Sequence, residues 1–129
     1  QGAWLNDTRL RVSARHKMIE SVFATGLPFG GRRELPDTLK DLGQLLPVTA
    51  GVRRWGAAAL DMAYVAAGRY EGYWERGLNA WDIAAGIIIV REAGGFVEPI
   101  APDDNILESG SLICANGAVF DGFAKIIRG

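Results

Sequence analysis

Two acidic side chains lie at the ends of one long apolar segment, and such side chains are candidates for metal binding and acid–base chemistry. Asp82 precedes the apolar residues 83–90, and Glu92 follows them just before Gly94-Gly95. The segment is long for a strand, aspartate is a good helix N-cap and a double glycine is a good helix stop, so a helix is predicted. Because this helix is apolar on all sides, we expect it to be buried between layers. Asp82 would then be a carboxylate held rigidly at the tip of a buried helix.

Asp82 has two possible roles at the start of this helix. Magnesium binds hard oxygen ligands and is commonly held by one or two carboxylates together with substrate phosphate. The positive end of the helix dipole also favours a negative charge nearby. The alternative is that Asp82 only caps the helix, which is the commoner role of an aspartate there when the residues alone are considered.

Glu92 and Glu75 are the neighbouring carboxylates that could join Asp82. A helix rises about 1.5 Å per residue, so Glu92 would lie roughly 15 Å from Asp82 and cannot share a metal with it. Glu92 is therefore interpreted as structural, paired with Arg91 or with a loop backbone amide. Glu75 ends an aromatic strand, and on the residues alone a surface ion pair with Arg76 is the favoured interpretation.

A helix that begins directly after a strand offers a third kind of candidate. Gly56, Ala57 and Ala58 follow a short predicted strand and open an alanine-rich helix. The first N–H groups of a helix have no partner within it, so they can face a phosphate or another polar ligand. The signal is weak, since a strand, a glycine turn and a helix are an ordinary succession.

The remaining reactive side chains are interpreted as structural or solvent-exposed. Asp61 lies within the alanine-rich helix and is expected on its polar face or hydrogen-bonded to a nearby loop. His16, between two cations, is expected to be exposed, and Cys114 is expected to be buried in strand packing. Three arginines could form a basic patch for a partner, but a solvated or ion-paired set is favoured. They are Arg53, Arg54 and Arg69.

Composition narrows the class of protein. The chain has 129 residues, an apolar share of 49% and a formal net charge of −1. This is one domain's worth of chain with enough apolar residues for a core, and its charge gives no argument for binding nucleic acid or an anionic membrane. One cysteine and one histidine exclude an internal disulfide and a zinc site of ordinary composition, and suit a reducing compartment such as the cytoplasm. No apolar run reaches membrane-spanning length.

Strand and helix patterns alternate along the chain. The predicted elements are, in order, a hairpin at 3–13, a strand at 18–25, a helix at 36–46, a strand at 52–55, a helix at 57–67, a strand at 69–75, the helix starting at Asp82, strands at 96–100 and 111–115, and a helix at 118–127. Surface loops are predicted at 26–31 and 99–105. This order argues for an α/β fold, a layered, mixed sheet flanked by helices. In the helix at 36–46, Leu39 belongs to the expected apolar stripe, with Lys40 and Asp41 outside.

The long apolar segment between Asp82 and Glu92 also resembles part of a known protein family. The order Trp81-Asp82, then Ala85-Gly86, then Glu92 to Gly95 resembles the C-terminal signature of the inositol monophosphatase family, and residues 24–29 are similar to its bacterial branch. The resemblance implies a magnesium-dependent, lithium-sensitive phosphatase of small phosphate esters. It also implies the C-terminal half of the family's αβαβα sandwich.

The resemblance assigns roles to several of the candidates. It implies that Asp82 is a ligand for Mg²⁺ and that Glu75 contacts hydroxyl groups of the substrate. It implies that Gly56, Ala57 and Ala58 face the substrate, at a place where the family often has Ser or Thr after the Gly. Because Ala57 stands there, a hydroxyl contact is lost and backbone amides would serve instead.

The sequence also departs from the family. The signature Asp-Pro-Ile/Leu-Asp-Gly-Thr and the upstream glutamate, which supply most of the family's metal ligands, are not found. We therefore expect residues 1–129 to form a single C-terminal α/β domain, in which the hairpin and strand of residues 1–25 join a sheet shared with the missing N-terminal half. Two-metal phosphoryl chemistry needs cations on both the attacking and the leaving oxygens, which Asp82 alone cannot hold. The piece is expected to lack a catalytic residue and to be inactive alone.

Three functions remain open on the sequence. The first is a phosphomonoesterase that hydrolyses inositol-1-phosphate or a similar small polyol phosphate with metal-activated water. The second is a non-catalytic interaction module, since bacterial members of the family are implicated in transcription and RNA-related assemblies. The third is a fragment that self-associates through an exposed edge or apolar face. A cytoplasmic homodimer, with no membrane and no direct nucleic-acid contact, is the expected state.

Overall fold

Short strands alternate with helices in the computed structural model, which describes residues 2–26, 35–54 and 57–129. Its strands are β1 (Ala3–Leu5), β2 (Thr8–Leu10), β3 (Val22–Thr25), β4 (Gly51–Arg53), β5 (Gly72–Glu75), β6 (Phe96–Pro99) and β7 (Leu112–Ala115). Its α-helices are α1 (Leu35–Leu45), α2 (Ala58–Ala66), α3 (Ala80–Glu92), α4 (Ile106–Ser109) and α5 (Gly117–Arg128). Single 3₁₀ turns at Met18–Glu20 and Leu46–Val48 lead into β3 and β4.

The described strands form one five-stranded sheet and one separate hairpin. The sheet has the order β4-β3-β5-β7-β6, in which β4, β3 and β5 are parallel and β7 is antiparallel to both of its neighbours. The hairpin pairs β1 with β2 around a turn at Asn6, whose φ is 56°. The expected mixed sheet flanked by helices is confirmed. That the hairpin joins a larger sheet stays a prediction; β3 has strand partners on both sides within this chain.

Side chains alternate across the sheet, and each face packs against a different pair of helices. On one face, Tyr73 and Cys114 pack with residues of α2 and α3. On the other face, Trp74 and Ile113 pack with residues of α1 and α5. Because successive strand residues point to opposite faces, one strand supplies both cores. Among the described helices, none has the length and apolar character needed to cross a bilayer.

The helix α3 differs from its prediction in its start and in its burial. Asn79 is the N-cap and Asp82 is the third helical residue, so the prediction that Asp82 caps the helix is wrong. The helix is also not buried on all sides, since Trp81 is 78% exposed and Ile88 is 63% exposed. Only the face that contains Ile83 packs against α2 and the sheet. Periodicity could not reveal this, because both faces of the helix are apolar.

The helix α1 is present where predicted, but two of its residues lie on the opposite side from the one predicted. Asp41, expected outside, is 2% exposed, whereas Leu39, expected in the apolar stripe, is 55% exposed. Asp41 has strong partners inside, because the Trp74 indole N–H donates to it at 3.0 Å and the Arg76 guanidinium pairs with it at 2.9 Å. A carboxylate can be buried when it is hydrogen-bonded and paired in this way.

The short helix α4, which the sequence patterns did not predict, helps to hold the connection between β5 and α3. Asn105 caps α4 by accepting hydrogen bonds from the backbone of residues 107 and 108. Just after α4, Gly110 has a left-handed φ of 70° and accepts a hydrogen bond from the Leu78 N–H at 2.8 Å. A Cβ at Gly110 would overlap the Leu78 carbonyl oxygen, so only glycine fits this position.

We expect Gly110→Ala to destabilise the fold strongly. The alanine would have to hold a left-handed φ and displace the Leu78 backbone, so the free energy of unfolding should fall by about 2 kcal/mol or more. Gly43→Ala in α1 is the matched control, because nothing lies within 4 Å of a Cβ there. That control should be neutral or stabilising by up to about 1 kcal/mol. Urea denaturation measures both effects, and equal stability of the two variants would show that the contact with Leu78 is unimportant.

Candidate active site

The carboxyl ends of β3 and β5 lie side by side at the switch point of the sheet. These strands are parallel neighbours, paired from Phe23–Gly72 to Thr25–Trp74. The next described helix after β3, α1, packs on one face, and the helix after β5, α3, packs on the other. Neighbouring strands whose helices diverge in this way leave a crevice beyond their carboxyl ends, where ligands bind in open α/β sheets. Glu75 is the last residue of β5 and therefore lies at this crevice.

Glu75 is hydrogen-bonded within its own strand and lies close to the residue that follows β3. The Tyr73 hydroxyl donates a hydrogen bond to the Glu75 carboxylate, and a Cβ at Gly26 would overlap that carboxylate. Burial raises the pKa of Glu75, the hydrogen bond from Tyr73 lowers it, and the negative charge of Asp82 adds to the rise. The predicted ion pair with Arg76 is wrong, because Arg76 points to the other side of the sheet and pairs with α1.

Asp82 is an exposed carboxylate in the first turn of α3. Among the residues that the structure describes, none forms a hydrogen bond or an ion pair with this carboxylate. Its charge reaches Glu75, whose pKa it raises. The two carboxylates come from separate elements and are close enough for the charge of one to act on the other, and the outer one is exposed.

The described residues offer part of a magnesium site and not a whole one. Asp82 can supply a carboxylate oxygen, which is the type of ligand that Mg²⁺ prefers. Within residues 2–26, 35–54 and 57–129, no group of three or more His, Cys, Asp or Glu side chains is arranged to hold a metal ion. Glu75 already accepts a hydrogen bond from Tyr73. The described donors therefore fit a single carboxylate ligand for a metal ion and not a complete ligand set.

The start of α2 lies at the same edge of the sheet, because α2 follows β4 and β4 is parallel to β3. Ala57 is the N-cap and has no side-chain acceptor, and Ala58 is the first helical residue. The Asp61 N–H donates to the Ala57 carbonyl oxygen at 3.0 Å, and the N–H groups that precede it have no partner inside the helix. Gly56, the other predicted contact, lies outside the described residues.

Comparison with known proteins establishes the family. A model of the inositol monophosphatase family matches residues 1–128. This chain belongs to that family. An inositol-1-monophosphatase of Mesorhizobium japonicum is 45% identical over 127 residues, which cover 98% of this chain and 48% of the relative. A Nus factor SuhB of Pseudomonas aeruginosa is 43% identical over 130 residues, which cover 99% of this chain and 48% of the relative.

A solved structure agrees with the fold of this family member. The extragenic suppressor protein suhB of Bartonella henselae matches it with a TM-score of 0.92 and 41% identity, over 99% of this chain and 50% of that chain. This chain therefore spans about half the length of the relatives that it matches.

Asp61 is a further candidate site residue, to which the sequence analysis assigned only a structural role. It is 1% exposed, and neither carboxylate oxygen has a hydrogen-bond partner among the described residues. The expected polar face or loop hydrogen bond is therefore not found there. Burial raises the pKa of Asp61 from 3.8 to about 7, and the charge of Glu75 contributes to this rise. The available signal was a single acid inside the apolar run of α2.

The predictions for Glu92, Cys114 and His16 are confirmed. Glu92 accepts a hydrogen bond from the Gly2 backbone N–H at 2.5 Å, which is the expected contact with a loop amide. Cys114 is fully buried in β7, where burial raises the pKa of its thiol, and His16 is exposed. These residues take no part in the crevice.

The three arginines do not form one patch. Arg53 ends β4 and Arg54 follows it, at the carboxyl edge of the parallel strands. Arg69 precedes β5 at the opposite edge, and its guanidinium lies 5.5 Å from the centre of the Tyr64 ring. All three are exposed, and no ion pair involves them in the part of the chain that the structure describes. Within the described ranges they are therefore solvated and not ion-paired.

Asp61 makes stability depend on pH, and we expect Asp61→Asn to remove this dependence. The carboxyl keeps its proton in the folded state up to about pH 7, whereas the unfolded chain loses it near 3.8. The free energy of unfolding should therefore fall as pH rises from about 4 to about 7, by an amount on the order of 3 to 4 kcal/mol. Asp61→Asn cannot ionise, so it should gain stability relative to the unchanged chain over this range.

The control for this prediction is Asp121→Asn, because Asp121 is exposed on α5. Urea denaturation at several values between about pH 5 and pH 8 compares each variant with the unchanged chain. A stability difference for Asp61→Asn that stays constant across this range would mean that Asp61 has its ordinary pKa.

Proposed function

We propose that this chain forms part of the active site of a magnesium-dependent phosphomonoesterase. Its substrate is inositol-1-phosphate or a similar small polyol phosphate. The main support is that the charge of Asp82 acts on Glu75 at the crevice beyond β3 and β5, at the same edge of the sheet as the first N–H groups of α2, which have no partner inside that helix. Membership of the inositol monophosphatase family and the name of the Mesorhizobium relative agree with this proposal.

Each group at the crevice has a proposed role. Asp82 holds a magnesium ion through its open carboxylate. When bound, the metal lowers the pKa of a water molecule and offsets the negative charge of the phosphate. Glu75, oriented by the Tyr73 hydroxyl, accepts hydrogen bonds from substrate hydroxyl groups. The backbone N–H groups of residues 56–58 donate to polar groups of the substrate.

We expect the 129-residue chain alone to release no phosphate. Its described residues offer one open carboxylate at the crevice, whereas the proposed chemistry needs cations on both the attacking and the leaving oxygens. The test measures phosphate release from inositol-1-phosphate with magnesium, by the unchanged chain and by Asp82→Asn. Turnover by the unchanged chain that Asp82→Asn abolishes would contradict this expectation.

Adding the amino-terminal half of the Mesorhizobium relative tests the proposed roles. Activity should then appear, and Asp82→Asn should lower kcat by about a hundredfold or more, since it removes a metal ligand. Glu75→Gln should instead raise KM by about tenfold with a smaller change in kcat, because it weakens binding through one charged hydrogen-bond acceptor. Asp103→Asn, in an exposed loop, is the control and should change neither constant. An active mixture in which Asp82→Asn behaves like Asp103→Asn would refute the role of Asp82.

A second candidate function is a non-catalytic interaction module of the same family. Its support is that the Pseudomonas relative is named a Nus factor and that Arg53 and Arg54 are exposed. A protein partner is proposed, because a net charge of −1 gives little basis for direct binding of nucleic acid. If the chain captures a protein partner from cell extract, the Asp82→Asn variant should still bind that partner. The Arg53→Ala/Arg54→Ala variant should not bind it. Loss with Asp82→Asn alone would contradict this second function.

We also propose that the protein is a cytoplasmic homodimer. Its support is an apolar stripe on the exposed face of α3, formed by Trp81, Ala84, Ala85 and Ile88 at helical spacing. Sedimentation equilibrium should show a dimer that Ile88→Lys converts to a monomer, and cell fractionation tests the location. A monomer before any substitution would contradict the proposal.

A further inference from the structure

The connection from β5 to α3 joins the two proposed ligand groups, and it is held at consecutive residues. Gly77 donates its N–H to the Ser111 hydroxyl at 3.1 Å, and Leu78 donates its N–H to the Gly110 carbonyl oxygen at 2.8 Å. Arg76, the first residue of the connection, is held from the opposite side of the sheet by α1. The chain between the two carboxylates therefore has little freedom to move.

Asp41 of α1 holds both residues that flank Glu75. The Arg76 Nε donates to its Oδ2 at 2.9 Å, and Nη2 donates to its Oδ1 at 3.0 Å, a two-point contact. The Trp74 indole N–H donates to the same Oδ2 at 3.0 Å. The side chains of Asp41 and Arg76 are 4% and 15% exposed, so this contact is largely shielded from solvent.

This contact determines where Glu75 points. Residues 74 and 76 are directed toward α1, so Glu75 between them must be directed to the other side, where Tyr73 donates to it. A slip of the strand end by one residue would exchange the two sides and turn the carboxylate away from the crevice. Fixing both neighbours from one side therefore fixes the direction of the carboxylate on the other.

Stability alone is a weak reason for a buried pair of this kind. Apolar residues of similar volume are often as stable or more stable in its place, because desolvation offsets much of the attraction between the charges. We propose that Asp41 and Arg76 are positioning residues for the candidate active site, which orient Glu75 and the connection that leads to Asp82. This inference rests on the proposed function of those two carboxylates.

The test is the double variant Asp41→Asn/Arg76→Met, which removes both charges and leaves an acceptor for Trp74. It should keep a thermal midpoint close to that of the unchanged chain. Amide hydrogen exchange at Gly77 and Leu78, followed by NMR, should become at least about tenfold faster. After the amino-terminal half of the Mesorhizobium relative is added, the dissociation constant for inositol-1-phosphate with magnesium, read from amide shifts at residues 75 and 82, should rise at least about tenfold.

Glu98→Gln/Arg128→Met is the matched control, because it removes an ion pair of 3.0 Å that does not touch the connection. It should change neither the exchange rates nor the binding. Unchanged exchange in a folded Asp41→Asn/Arg76→Met variant would overturn the proposal, since the pair would then be structural only. If that variant does not fold, Arg76→Lys, which keeps the charge and loses the two-point geometry, decides the question by the same exchange measurement.

The two proposals can fail separately. An unchanged chain that does not bind inositol-1-phosphate even after the amino-terminal half of the Mesorhizobium relative is added would count against the proposed function, while the exchange rates still decide whether the pair holds the connection. Faster exchange with unchanged binding would overturn the positioning role, because the connection would then move without consequence for the site.

Discussion

The alternation of side chains along β5 is the constraint on which the rest of this structure depends. Tyr73 and Glu75 are directed toward α2 and α3, and Trp74 and Arg76 are directed toward α1. Tyr73 and Trp74 are both fully buried, so a change of register would expose one large aromatic side chain and bury the wrong groups. One short strand thus contributes to both cores and carries the candidate ligand at its end.

Three acidic side chains around the crevice differ mainly in their burial. Asp61 is enclosed under the sheet, Glu75 is partly buried at the strand end, and Asp82 is exposed on α3. Burial raises the pKa of the two inner groups, Asp61 and Glu75. An unpaired buried acid lowers stability, and such costs are expected where a structure serves a ligand and not only its own packing.

Two glycines leave room for close packing at this edge of the sheet. A side chain at Gly26 would overlap the Glu75 carboxylate, and a side chain at Gly110 would overlap the backbone at Leu78. The site is therefore built on strand ends and on a short, hydrogen-bonded connection. Functional groups placed on strand ends and hydrogen-bonded connections suit selective recognition of a small polar ligand.

The sequence by itself determined the α/β class and the order of the strands and of every described helix except α4, and its resemblance to the family made Asp82 and Glu75 the candidate site residues. The glycines that end its helices and the periodic spacing of its apolar residues are local signals. Such signals depend on neighbours within one or two turns. The family signature around Asp82 is local as well. Gly56 lies outside the described residues, so its part in the site stays a prediction.

Only the tertiary structure decided which faces are buried and which charges are paired. Asp41 lies 35 residues from Arg76, and no local pattern could show that a charged residue of α1 points inward to meet it. The exposure of one face of α3 and the burial of Asp61 were not predicted for the same reason. The sequence pattern shows that residues are apolar or acidic, but not which other residues cover them. Burial and pairing depend on contacts between elements far apart in the chain, and these exist only once the sheet has set its register.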